Sequence, residues 1–127
     1  MMNALARVRE LAAGESALTL LVLFGSRARG DARPDSDWDF GYVADSTFDA
    51  GAFLGALVGV TGCDRVDLVD LDRMSGQLRY RAAADGVVIL ERPQAFERFW
   101  TAAVSYWLDM QDVIRAEYGR ALERLSP

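Results

Sequence analysis

Residues 24–39 read FGSRARGDARPDSDWD and place a glycine turn ten residues ahead of two alternating carboxylates. The turn, Gly25-Ser26, follows an apolar run that ends at Phe24, so it is predicted to lie where a buried strand ends and a helix begins. A helix N-terminus offers unpaired N–H groups and the positive end of a dipole, and glycine lets a phosphate approach the backbone closely. The sequence therefore predicts a phosphate-binding turn at Gly25 and Ser26.

The two carboxylates, Asp37 and Asp39, alternate with the aromatic residues Trp38 and Phe40. This is the spacing of a strand, so both carboxylates are predicted to project from one face, with Cα atoms ~7 Å apart. The aromatic face is predicted to be core and the carboxylate face to be open. Because carboxylate oxygens are the ligands that Mg²⁺ prefers, Asp37 and Asp39 are candidate metal ligands.

A third carboxylate is expected from a predicted strand over residues 65–71, where Asp64, Asp67 and Asp70 compete for the role. Asp70 shares the parity of the apolar Val66, whereas Asp67 has the opposite parity. By analogy with the preceding strand, Asp67 is predicted to share the open face with the other two carboxylates.

All 14 basic residues are arginine, and Arg27, Arg29 and Arg33 fall between the glycine turn and the first carboxylate. An arginine side chain presents fixed paired donors that fit phosphate oxygens. The cluster indicates a role in nucleotide binding, although the sequence does not say which arginine has it.

The rest of the chain alternates helices and strands. Predicted in order are a helix over 3–13, a strand over 18–24, a helical turn after Ser26, a strand over 37–43, a helix over 48–60 capped by Ser46 or Thr47, a strand over 65–71, a helix from Ser75 to Ala84, a strand over 87–91 and a last helix beginning near Pro93. This order predicts a small α/β (α+β) domain with a mixed sheet of four to five strands, helices on one face and the site on the other. One domain is expected over 1–127, with a core at 5–91 and a C-terminal helical extension at 93–125.

The amino-acid composition excludes several kinds of catalytic site. The chain has 127 residues, a formal net charge of −5, no histidine and one cysteine, Cys63, so a zinc site and a Cys-His nucleophile pair are excluded. Acid–base chemistry must therefore use carboxylates. The negative charge argues against direct binding along a nucleic-acid backbone. No run of residues suggests a membrane span or signal peptide, so a cytoplasmic protein is expected.

Gly25-Ser26, ten residues, and then Asp37-x-Asp39 resembles the signature of the DNA polymerase β-like nucleotidyltransferases, most closely the minimal members that act as antitoxins to HEPN-domain toxins. The resemblance covers residues 5–91. It implies that Asp37, Asp39 and Asp67 are catalytic and hold two Mg²⁺ ions. In the same family Gly25 and Ser26 would bind the nucleotide, with Arg27 or Arg29 neutralising charge on its phosphates.

The resemblance further implies transfer of AMP from ATP to a tyrosine hydroxyl of a partner HEPN toxin. The last helix repeats apolar residues every three or four positions from Phe96 to Leu125, which suggests that it docks this partner. Phe96, Phe99 and Trp100 are expected to finish the core, and the stripe from Trp107 onward is expected to bind the toxin. Two alternatives stay open: an antitoxin that acts by binding alone, and a transferase for a small hydroxylated molecule.

Overall fold

The computed structural model describes residues 3–125, apart from the side chain of Ile114; the ends of the predicted 1–127 domain lie outside these residues. The predicted order of elements is observed. The elements are α1 (Ala4–Ala13), β1 (Leu18–Phe24), α2 (Ser26–Arg29), β2 (Trp38–Ala44), α3 (Ala50–Thr61), β3 (Val66–Asp70), a 3-10 turn (Leu71–Arg73), α4 (Gly76–Asp85), β4 (Val87–Glu91) and α5 (Ala95–Leu125). In this part of the chain, no helix has the length and apolar character needed to cross a bilayer.

The four strands form one mixed sheet in the order β3-β2-β1-β4. β1 pairs antiparallel with both β2 and β4, and β2 pairs parallel with β3. The mixed sheet of the predicted fold class is confirmed. β1 is central and apolar on both faces: Leu21 and Leu23 join the core under α1 and α3, while Leu20 and Val22 join a second core under α4 and α5.

The aromatic face of β2 is core, as predicted. Trp38 and Phe40 are buried and stack with ring centroids 5.8 Å apart. Phe53 and Leu57 of α3 are buried in the same cluster. Alternation along β2 therefore turns Asp39 to the opposite face of the sheet.

Helices were predicted on one face, and α1 and α3 occupy it. The structure adds α4 and α5 on the other face, where Phe99 and Ala103 pack over β1. The carboxylate face is thus covered at its β1–β4 side and open where the exposed Asp67 lies on β3.

Local signals were partly misread. Ser46 and Thr47 do not cap α3; Asp49 does, because its side chain accepts a hydrogen bond of 3.0 Å from the N–H of Ala52. The N–H of Thr47 instead donates to Asp45 at 2.8 Å, forming a turn ahead of the helix. Two carboxylates and two hydroxyls compete within five residues, and the backbone path decides which one reaches the helix end. The predicted Gly62 terminator is confirmed, with φ +67°.

Gly41 allows the 3-10 turn to pack against β2. A Cβ on Gly41 would lie 2.9 Å from Cγ of Leu71, a residue with no exposed surface. Gly41→Ala is therefore expected to lower the free energy of unfolding by ~1–3 kcal/mol through overpacking. Gly55→Ala is the matched control, because Gly55 lies inside α3 with nothing within 4 Å and alanine there should add ~0.5–1 kcal/mol. Urea denaturation measures both, and equal effects would contradict the assigned packing.

Candidate active site

The glycine turn has the backbone geometry of an anion cradle. Gly25 has φ +76°, and the short helix α2 starts at Ser26 and ends at Gly30, which has φ +83°. The N–H groups of Ala28 and Arg29 both donate to the carbonyl of Gly25 at 3.1 Å. The N–H groups ahead of these in the first turn have no carbonyl to pair with inside the helix. They are the donors that a phosphate group would use.

Gly25 also lies directly against a carboxylate. Phe24 and Asp39 are partners in the antiparallel β1–β2 register, and a Cβ on Gly25 would lie 3.2 Å from Cγ of Asp39. A side chain is excluded here both by this contact and by the positive φ. The glycine turn and the Asp39 carboxylate are thus in direct contact.

Asp39 and Asp67 face each other across parallel strands. They are register partners of β2 and β3, and their carboxyl groups lie close enough to interact electrostatically. Burial raises the pKa of Asp39 above its ordinary 3.8, and the nearby Asp67 and Asp37 carboxylates raise that pKa further, while Arg29 lowers it. The ionised form of Asp39 is thus disfavoured by burial and by neighbouring negative charge, and a bound cation would offset both effects.

Asp67 lies on the open face of the sheet, as its parity predicts. Asp70 lies at the end of β3, where its side chain accepts a hydrogen bond of 3.0 Å from the N–H of Asp72 and begins the 3-10 turn. It also pairs with Arg73 at 3.7 Å. Asp64 precedes the strand and is exposed. Of the three candidates, only Asp67 stands beside Asp39.

Asp37 lies at the margin of the site. β2 begins one residue later than predicted, and the exposed Asp37 carboxylate pairs with Nε of Arg65 at 3.4 Å. Among residues 3–125, no three acidic, histidine or cysteine side chains lie close enough together to hold a metal ion. Asp37 would complete a three-carboxylate set by exchanging Arg65 for a cation. Arg65 is the residue that sequence reasoning missed, since only the parallel register of Trp38 with Val66 places the residues before the two strands side by side.

The two predicted nucleotide arginines point in different directions. The guanidinium of Arg27 donates to the carbonyls of Ser36, at 2.8 and 3.2 Å, and of Pro34, at 3.3 Å, and it lies 4.2 Å above the ring of Trp38. Since Trp38 belongs to the face covered by α1 and α3, Arg27 holds the loop on that side, and the structure does not bring it to the carboxylates. Arg29 acts electrostatically on Asp39 and pairs with the exposed Asp31 at 3.6 Å.

Comparison with known proteins gives a family and close structural relatives. A family model described as "Polymerase beta, Nucleotidyltransferase" matches residues 7–95. The chain is 33% identical over 96 residues to protein adenylyltransferase MntA of Aphanizomenon flos-aquae (strain 2012/KM1/D3), a match that covers 65% of this chain and 63% of that relative. The chain therefore spans less than two thirds of the length of this relative.

Two solved structures share the fold over nearly the whole chain. A toxin–antitoxin crystal structure with AMP-PNP superposes with a TM-score of 0.74 at 25% identity, covering 95% of this chain and 99% of the other. A complex of tri-AMPylated Shewanella oneidensis HEPN toxin with MNT antitoxin gives a TM-score of 0.69 at 23% identity, covering 94% and 96%. The similarity extends through the sheet and most of α5.

Proposed function

The chain belongs to the polymerase beta nucleotidyltransferase family, and on that premise we propose that it is an antitoxin that transfers AMP from ATP to a tyrosine hydroxyl of a partner HEPN toxin. The observation that carries this proposal is the pair Asp39 and Asp67 beside the Gly25-Ser26 turn. The MntA relative and the AMP-PNP complex support ATP as the substrate. The HEPN complex of the same fold supports the choice of partner.

The residues present suit a divalent metal. Asp39 and Asp67 offer hard oxygen ligands in an acidic setting that raises the pKa of Asp39, and Asp37 can join them by leaving Arg65. We therefore assign Asp37, Asp39 and Asp67 to the binding of two Mg²⁺ ions. When bound, Mg²⁺ neutralises the triphosphate and makes a hydroxyl more acidic.

The protein groups account for the remaining requirements of the transfer. The backbone at Gly25 and the hydroxyl of Ser26 hold the outer phosphates, and Arg29 offsets negative charge there. The tyrosine oxygen attacks the α-phosphorus, the bond from that phosphorus to pyrophosphate breaks, and pyrophosphate leaves. The hydroxyl proton passes to the carboxylate of Asp67, the more exposed member of the acidic pair. Arg27 acts indirectly by fixing the loop that carries Asp37.

A labelling experiment tests this function. The purified chain is mixed with ATP labelled at the α-phosphate, Mg²⁺ and the HEPN protein encoded beside it, and the label is followed on a denaturing gel. Label on the HEPN protein, lost with a tyrosine-to-phenylalanine substitution in that protein, is the expected result. Inhibition of the toxin without label would indicate an antitoxin that acts by binding, and label only on small molecules would indicate the other transferase class.

The three aspartates near β3 give a prediction with built-in controls. Asp67→Asn is expected to lower transfer at least ~100-fold, because loss of a metal ligand removes several kcal/mol of charge stabilisation. Asp64→Asn and Asp70→Asn should stay within about twofold of wild type, since Asp64 is exposed and asparagine at 70 can still accept the hydrogen bond from Asp72. Initial rates of labelling measure all three. An inactive Asp70 variant beside an active Asp67 variant would reverse the assigned faces of the strand.

A further inference from the structure

A second charged cavity lies on the same face of the sheet, beneath the start of α5. Its volume is about 260 Å³, and its walls include Arg79 of α4, Arg92 and Arg98 at the root of α5, and Asp72. Three positive groups thus face one negative group. Thr19, at the opposite end of β1 from the glycine turn, also lines the cavity and lies about 17 Å from Phe24, the residue before that turn, at 3.3 Å per residue.

Arg79 is the arginine of this cavity that has an unsatisfied buried hydrogen-bond donor. Its Nε is buried and has no hydrogen-bond acceptor among the described residues. Its guanidinium lies 5.5 Å from the ring of Tyr106, so one side is covered by an aromatic face. Asp72 does not form an ion pair with it in the described structure. A buried donor left without an acceptor destabilises a fold, and a bound anion would remove that cost.

The other two arginines are held in place by the backbone. Arg92 donates from Nε to the carbonyl of Leu18 at 3.3 Å and from Nη2 to the carbonyls of Glu15 and Ala13, at 3.3 and 3.4 Å. Arg98 donates from Nε and Nη2 to carbonyls of the preceding turn, both at 3.4 Å. Each keeps Nη1 without an acceptor in residues 3–125. Two of the three guanidinium groups that line the cavity are therefore held in position and would lose little conformational entropy when a ligand binds.

We propose that this cavity binds a small oxyanion of the phosphate class, as inorganic phosphate or as the phosphoryl group of a small phosphomonoester. Guanidinium groups match the tetrahedral oxygens of phosphate, and the apolar walls formed by Val43, Phe99 and Ala102 strengthen the attraction by lowering the local dielectric. A volume of about 260 Å³ is below the ~300–1,000 Å³ of sites for larger ligands, so a whole nucleotide is not the expected occupant.

The anion would join three parts of the fold. Arg79 comes from α4, Arg92 from the turn between β4 and α5, Arg98 from α5, and Thr19 from the sheet. Binding would fasten the root of α5 to the sheet at a point remote from the catalytic carboxylates. The inference goes beyond the proposed function, since it requires neither ATP nor a partner protein.

Thermal unfolding of the full chain tests the site. Inorganic phosphate, or glycerol phosphate in a parallel series, is titrated against sodium chloride at matched ionic strength and pH. At saturation the Tm of the wild type should rise by roughly 3–8 °C. Arg79→Met should reduce the response to the part that exclusion of phosphate from the protein surface produces and, because the unpartnered donor is gone, should have a higher Tm than wild type without phosphate. The phosphomonoester arm decides whether free phosphate or an esterified phosphoryl group is preferred, and a response to either supports the site.

Two controls isolate the cavity. Arg81→Met, two residues along α4 and exposed, should keep the full response; phosphate also stabilises proteins by exclusion from their surface, and that effect would be equal in both variants. Ser26→Ala/Arg29→Gln should keep the response too, which separates the cavity from the nucleotide site. If Arg79→Met does not fold, Arg79→Lys should weaken phosphate binding at least tenfold by calorimetry. No response in wild type, or equal responses in the Arg79 and Arg81 variants, would overturn the proposal.

Discussion

Asp39→Asn is expected to abolish AMP transfer and to raise, not lower, the Tm at neutral pH. The loss of transfer should exceed ~100-fold, because Asp39 lies against Gly25 and beside Asp67, where we propose that it binds the metal. The gain in stability has the opposite sign because burial and the neighbouring carboxylates raise the pKa of Asp39. Its ionised form is disfavoured in the folded protein, and asparagine removes that charge.

The pH dependence follows from the direction of the pKa shift. Between 3.8 and the raised pKa of Asp39, the folded chain holds a proton that the unfolded chain has lost. Stability contributed by this group is therefore fully present in acid and falls as pH rises through the raised pKa. The Tm difference between Asp39→Asn and wild type should accordingly be largest near pH 7 and shrink on acidification.

Asp64→Asn is the control for this variant, because it removes one exposed carboxylate near the same strand. It should keep both wild-type transfer and the wild-type change of Tm with pH. Added Mg²⁺ should stabilise wild type and the Asp64 variant but not the Asp39 variant, which gives a readout independent of turnover. Normal transfer by Asp39→Asn at ordinary Mg²⁺ concentration would contradict the assignment of Asp39 as a metal ligand.

The faces of the two acidic strands were predictable because strand side chains alternate strictly. Trp38 and Phe40 mark the buried face of β2, Val66 does so for β3, and each aspartate of opposite parity must then face away. The register between β2 and β3 could not be predicted in this way. Parity does not say that Asp39 lies opposite Asp67, since a shift of two residues preserves the faces and moves the carboxylates apart.

Contacts between distant side chains and backbone were not predictable from local patterns. Arg27 and Arg29 are two residues apart in the sequence, yet the carbonyls of Ser36 and Pro34 hold Arg27 over Trp38 while Arg29 stays near the carboxylates. The destination of each arginine depends on the path of the loop. No spacing rule describes that path, since the loop has no regular structure.

The buried side of α5 differs from the predicted one, although the helix has the predicted length and Gly119 does not break it. Trp100 was expected in the core, but it is 47% exposed. Trp107 was expected at a partner surface, but it stacks on Tyr80 of α4 with ring centroids 4.9 Å apart. Periodicity identifies an apolar stripe, and only the angle between the packed helices decides which edge of the stripe is covered.

Substitutions in the half of α5 farthest from β4 are expected to have the second large effect, a loss of toxin binding. At 1.5 Å per residue the 31-residue helix is about 46 Å long, whereas the ten-residue α4 beside it is about 15 Å long. The apolar side that packs at Phe99 and Ala103 continues past α4 to Tyr118 and Leu125, which are 66% and 81% exposed. Exposed aromatic residues on a rigid helix are typical anchors of a protein interface, and we propose that this segment docks the HEPN partner of the proposed function.

Tyr118→Asp/Leu125→Asp is therefore expected to weaken capture of the toxin at least ~100-fold, as hot-spot residues contribute 2 kcal/mol or more each. Folding and nucleotide binding should remain, since neither side chain is buried within the chain. Calorimetric titration with the HEPN protein measures the affinity for the toxin. Circular dichroism measures folding, and titration with ATP measures nucleotide binding. Removal of residues 112–127 should give the same result.

Ala116→Asp is the matched control for the single variant Tyr118→Asp, since each adds one negative charge to the same half of α5. Ala116 is exposed and lies roughly 160° around the helix from Tyr118 at 100° per residue. It should bind the toxin as wild type does, so any loss specific to position 118 reports the face of the helix and not its charge. Equal weakening by both substitutions would point to electrostatic repulsion, and a truncated chain that unfolds would place residues 112–125 in the core.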